Sequence, residues 1–448
     1  MRKKTAFFLF LFVFSFAVRS FGSDIDSRLT VLEETIKQQG KTIEEQQKVI
    51  NGLKEELGPG KRDEAAKTGG KPQEEARPQE VTGFFGGSSM TNPNISLVLD
   101  TFYYSSNRKD AELVKSGIPG FTTVPPEQNN GFNLRAAELF LFSPVDPYFN
   151  LYSNLPVTED GIELEEAYFV TTSLPEGLQV KGGKFKSNFS RLDAQHPHAW
   201  DFADIALPYR AFLGPEGLGG EKGVQVTYLP SLPVYTLLGA EALQGENDLL
   251  FGKDAQSGSH GFSFFIKSSF ETTENSTFYF GPSVLFGKTR NTNILDGAEF
   301  SGKSALYGME AVWKWKPSKQ QGLILQSEYL SLTQNGNLTD AVTANVDSLK
   351  RRQDGFYAQG IYQLDRWRFG ARYDMLELFA DSFEQAGIQQ NLGTKPWRVT
   401  GSVDYNPTEF SRIRFQYTRD RSARDDRANN EFFVQLIFGI GAHAAHAF

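Results

Sequence analysis

The sequence contains no cysteine, and only five histidines and four methionines stand among its 448 residues. Without thiols the chain has no disulfide framework, no thiolate nucleophile and no Cys-ligated metal centre. Beyond its extreme N-terminus it also lacks any apolar run near the 20 residues that a membrane-spanning helix needs. Neither H-E-x-x-H nor G-x-S-x-G occurs. The stretch "GPSVLFGKT" imitates a phosphate-binding loop, but Gly281 lies one residue too far from Gly287-Lys288-Thr289 and the segment reads as a strand. The expectation is therefore a protein without enzymatic activity. A net charge of −8 argues against nucleic acid as a partner.

What the chain has in quantity is aromatic residues and glycine: 39 Phe, 16 Tyr and 42 Gly, which favours strands and turns over helices. At the N-terminus, Arg2, Lys3 and Lys4 precede the apolar run Ala6 to Val18, and Ser20-Phe21-Gly22 offers a cleavage site. Residues 1–22 read as an export signal. In 23–57, Ile25, Leu29, Leu32, Ile36, Gln39, Ile43, Gln46, Ile50, Leu53 and Leu57 alternate by four and three. That spacing is the seam of a coiled coil, expected to self-associate as a trimer. Residues 58–92, rich in Gly, Pro and charge, read as a flexible linker.

From 93 to 448 the texture is short segments of about ten residues separated by turns. In "RIRFQYTR", Ile413, Phe415 and Tyr417 alternate with Arg412, Arg414, Gln416 and Thr418. The same period of two runs through Trp367, Phe369, Ala371, Tyr373 and Met375, and again through Trp397, Val399, Val403 and Tyr405. About sixteen such segments occur, each long enough to cross a bilayer as a tilted strand. A soluble sandwich would show the same alternation. The export signal, aromatic residues near strand ends, and the swap between short and long connections favour an all-β transmembrane antiparallel barrel instead. Its apolar face would then meet lipid and its polar face would line the inside. Long connections are expected at about 105–130, 190–222, 335–353 and 378–395, with short turns facing the periplasm. The terminal Phe448 resembles the closing aromatic of outer-membrane barrels, although "GAHAAHA" separates it from the last strand.

Residues 177–229 join a strand ending in Gly-Lys-Phe-Lys, a long loop with aromatic and Pro residues, and a Gly-rich return. With the N-terminal heptads, this resembles the phosphate-selective porin family. The resemblance implies a third external loop, here 190–222, that folds into the lumen and narrows it. It also implies that Lys184, Lys186 and Arg191 approach the constriction, with Arg210 on the inserted loop. Cations in a narrow low-dielectric passage concentrate anions, so a preference for anions is the expectation. These charges could equally pair with Asp193, Asp201, Asp204, Glu216 and Glu221. Arg368, Arg372, Arg398, Arg412 and Arg414 are expected to face inward, either attracting anions or forming a salt-bridged wall. His196, His198, His443 and His446 have spacings that could serve Zn²⁺, against the plainer reading as hydrogen-bonding histidines. The expected function is passive diffusion of small hydrophilic solutes through a trimeric outer-membrane porin whose coil lies in the periplasm. A structural or adhesion barrel, or a metal-associated uptake protein, is the alternative.

Overall fold

A computed structural model describes residues 93–115, 117–252, 258–295, 297–425 and 427–441. The signal, coiled coil and linker, together with His443, His446 and Phe448, lie outside the described residues. The strands are β1 (Asn94–Ser106), β2 (Gly131–Asp146), β3 (Phe149–Thr158), β4 (Gly161–Ile162), β5 (Glu166–Thr171), β6 (Leu178–Lys186), β7 (Gly220–Tyr228), β8 (Tyr235–Leu243) and β9 (Gly261–Thr273). They continue as β10 (Ser276–Leu295), β11 (Ala298–Trp315), β12 (Gln321–Asp340), β13 (Val346–Leu364), β14 (Trp367–Gln385), β15 (Ile388–Gln389), β16 (Trp397–Thr408), β17 (Ser411–Asp420) and β18 (Asn429–Gly441). The two-residue pieces β4 and β15 only extend hairpins, so sixteen strands form the wall. All pair antiparallel with their neighbours in sequence, and β1 pairs with β18 from Ser96↔Gly441 to Ser106↔Glu431. The sheet thus closes on itself and leaves no edge, the condition for a sheet in lipid.

The count of about sixteen strand segments expected from the sequence agrees with these sixteen strands. In β17, Arg414, Gln416, Thr418 and Asp420 are buried inside, whereas Phe415 and Tyr417 are exposed outside. Around the barrel, Val224, Val226, Phe264, Ile266, Phe369 and Val399 are likewise exposed on the outer face. A continuous apolar belt of this kind costs about 25 cal/mol per Å² in water, and lipid removes that cost. Aromatic pairs mark both rims: Trp367 against Tyr405 (4.8 Å) at the short-turn end, and Tyr103 against Phe132 (5.2 Å) at the other.

Two connections depart from expectation. Residues 335–353 are mostly strand, because β12 runs to Asp340 and β13 starts at Val346, and β14 continues to Gln385 through much of 378–395. Strands β10 to β14 have 18–20 residues, about twice the length needed to cross a bilayer. Their outer halves carry polar residues on both faces, as a sheet with water on both sides tolerates, and such a sequence imitates a loop. The segment 244–260 between β8 and β9 is a long connection that alternation did not single out.

Candidate functional site in the lumen

The connection from β6 to β7, 187–219, enters the barrel. It carries a one-turn helix α2 (Leu207–Phe212), following a shorter helix α1 (Asp110–Leu113) in the first long connection. Its apolar side chains Phe189, Trp200, Ile205, Leu207, Tyr209, Phe212 and Leu218 pack with Leu306, Leu330, Leu332, Tyr357 and Leu376 of the wall. Ile118, Phe121, Leu250 and Phe251 from two other connections complete this core inside the barrel. Hydrophobic burial therefore holds the loop down, and polar contacts fix its position.

The wall arginines supply most of those contacts. Arg368 meets Asp201 at 2.5 Å, while Arg372 and Arg398 meet Asp204 at 3.1 and 2.8 Å. Arg414 pairs with Asp404 at 2.9 Å and donates to the Trp200 carbonyl at 3.0 Å, which Arg412 also reaches at 3.4 Å. The Leu207 N–H donates to Asp374 at 2.9 Å, and the Tyr209 hydroxyl donates to Glu328 at 2.5 Å. Burial alone would raise the Asp204 carboxyl, but the Arg372 and Arg398 guanidiniums hold it at about 2. All five wall arginines therefore share one side of the lumen and are engaged by carboxylates or carbonyls. Arg210 lies 4.0 Å from Asp420, and Arg191 donates to Gln326 at 3.2 Å. Lys184 donates to the Leu164 carbonyl at 2.8 Å.

A cavity remains on each side of the inserted loop. The outer one, of about 620 Å³, is lined by loop residues Pro197, Asp204, Arg210 and Glu216 and by wall residues Arg135, Glu138, Lys184, Arg398 and Glu431. Nine carboxylates line it against five cationic side chains (Arg135, Lys184, Arg210, Lys222 and Arg398). Burial, with Glu216 close by, pushes the Glu127 carboxyl there up to about 7. The inner one, of about 380 Å³ and nearer the short turns, is lined by Asn188, Arg191, Gln195, Tyr235, Lys267 and Glu310.

Between Gln195, which faces the inner cavity, and Pro197, which faces the outer one, stands His196. Its Nδ1 lies 3.0 Å from Glu165 and 3.6 Å from Glu138, and its Nε2 lies 2.9 Å from Glu166. His198 stacks beside it at 5.7 Å and meets Glu138 at 3.0 Å, while Lys186 meets Glu165 at 2.8 Å. Burial would lower the His196 imidazole, yet its hydrogen bonds to Glu165 and Glu166 raise it to about 10. The carboxylates of this group were not legible as partners of the histidines. The one available signal was "EE" at 165–166, which breaks the alternation. Glu165 stands just before β5, so two consecutive side chains turn inward, and its carbonyl lies where a Cβ on Gly220 would come within 2.1 Å.

No family model matches the sequence. A protein of Aquifex aeolicus, named only as uncharacterized, is 40% identical over 381 residues, covering 80% of each chain. Among solved structures, the outer-membrane channel DcaP of Acinetobacter baumannii matches with a TM-score of 0.51 and 13% identity, over 80% of this chain and 100% of that one. The anion-selective porin of Comamonas acidovorans matches with a TM-score of 0.46 and 8% identity, over 78% and 100%. DcaP shares the fold of this chain, a sixteen-stranded closed barrel. By identity over four-fifths of both sequences, the protein belongs to the same family as the Aquifex aeolicus protein.

Proposed function

We propose that the protein is an outer-membrane porin through which small hydrophilic solutes diffuse, its conductance set by the loop 187–219. The observation that carries this reading is the pair of cavities, about 620 and 380 Å³, on either side of that loop within a barrel whose outer face is apolar. Transport by such a device is geometry and field, without catalysis. The resemblance to phosphate-selective porins supports the inserted third loop. The anion preference expected with it needs cations facing the path, and the wall arginines are engaged by carboxylates of the loop and the wall and by the Trp200 carbonyl. With carboxylates outnumbering cations around the outer cavity, we read the selectivity as weakly cationic. The signal 1–22 and the heptads 23–57 support export and a periplasmic trimerising coil.

Single-channel recording in a planar bilayer under a salt gradient tests this. Small, regular conductance steps with a reversal potential on the cation side are expected. An anion-side potential would overturn the charge reading. A silent bilayer, from protein that migrates as a folded barrel, would overturn the pore and favour a structural barrel.

A further inference from the structure

We propose that Glu138, Glu165 and His196, with Asn154, form a binding site for one divalent transition-metal ion of the zinc class, joining the inserted loop to the barrel wall. The reading does not depend on whether the barrel conducts. One ligating atom from each of Glu138, Glu165 and His196 lies within 4.8 Å of the other two. With His196 Nδ1 at 3.0 Å from Glu165 Oε2 and 3.6 Å from Glu138 Oε2, a cation among the three sits about 2 Å from each, the length of a Zn–N or Zn–O bond.

A fourth group marks the same point. Asn154 Nδ2 stands 3.2 Å from Glu138 Oε2, 2.9 Å from Glu165 Oε2 and 3.1 Å from His196 Nδ1. The amide thus caps the triangle of donors with its N–H groups, where positive charge is favoured. Rotating it by half a turn presents Oδ1 instead, a fourth ligand completing a tetrahedron.

The far atom of each ligand is already held, as metal ligands usually are. His196 donates from Nε2 to Glu166 at 2.9 Å, which leaves Nδ1 for the ion. Glu165 Oε1 accepts from Lys186 at 2.8 Å, and Glu138 Oε1 meets His198 Nδ1 at 3.0 Å. Charge agrees: three carboxylates and one ammonium leave two negative charges, which a divalent cation cancels while both imidazoles stay neutral. Protons on the imidazoles would also cancel them, but a proton needs only a pair of atoms, whereas here donors from β2, β3, the approach to β5 and the loop converge on one point. Oxygen and nitrogen donors without thiolate suit Zn²⁺, Co²⁺ or Mn²⁺ over a soft ion.

Equilibrium dialysis of the full chain, purified in detergent and stripped with a chelator, against Zn²⁺ reads the metal bound per chain. One tightly held Zn²⁺ is expected. His196→Gln and Glu138→Gln should each lose it while still migrating as folded barrels. Glu166→Gln, which only orients the imidazole, should bind about 10–100-fold more weakly. Folded wild-type protein that holds no Zn²⁺, or a His196→Gln variant that holds it as tightly, overturns the site.

Discussion

Asp204 decides two properties at once, because it is the carboxylate that neutralises both Arg372 and Arg398. Replacing it with Asn leaves two buried guanidiniums sharing Asp374 as their direct ion-pair partner. Losing one partner of a buried ion pair costs about 3–5 kcal/mol, so Asp204→Asn should lower the denaturant midpoint of the loop's packing, followed by Trp200 fluorescence. The freed cations should also move the reversal potential toward anions. Glu127 makes a pH-dependent counterpart. Its carboxyl, raised to about 7 by burial and by Glu216, is largely neutral at pH 5.5 and charged at pH 8. Cation preference should therefore strengthen as pH rises through 7, and Glu127→Gln should flatten that change in reversal-potential measurements. Glu127 was not legible as a site, and Asp204 was legible only as a partner for the cations of its own loop region. Asp204 is 168 positions from Arg372, and nothing in a single sequence pairs residues so far apart; the wall arginines were legible as inward-facing, but their pairing with Asp201 and Asp204 was not.

The strands were legible for a reason that also limits what alternation reveals. A strand between lipid and water must alternate, so β16 and β17 declare themselves in Trp397 to Tyr405 and Arg412 to Thr418. Where the same strand rises above the lipid the constraint lapses, and Asn335 to Asp340 of β12 reads as a loop although it pairs with β11 and β13. The inserted loop has the opposite character: its apolar residues follow no period, since they pack as an irregular plug. Legible here was a long connection with aromatic and Pro residues, and its place in the lumen came only as what the family resemblance implied. Its effect on flux is open to direct test. Replacing 197–213 with a short Gly-Ser linker removes α2 and most of the plug's apolar side chains while leaving every strand pairing intact. Single-channel conductance should rise severalfold, and the barrel should keep its heat-modifiable migration. Unchanged conductance would mean that the ions take a path the loop does not restrict.

At the scale of the whole molecule, β1 begins and β18 ends at the short-turn end, the even strand number requiring both on one side. Closure and the apolar belt were legible because lipid allows a sheet no free edge, a constraint that acts on the backbone whatever the side chains. The proposed assembly into a trimer rests on the heptads of the sequence. Ile and Leu at most seam positions favour helix association, and Gln39 and Gln46 lower its stability while restricting register. If the coil holds three barrels together, the detergent-purified full chain should have the mass of a trimer by light scattering. Deleting 23–57 should then shift it to lower mass with the barrel still folded. Gln39→Ile combined with Gln46→Ile should raise the temperature at which the trimer dissociates. A trimer that survives the deletion would place the association in the outer face of the barrel, where Phe415, Tyr417 and Phe432 would be the first positions to substitute with charge.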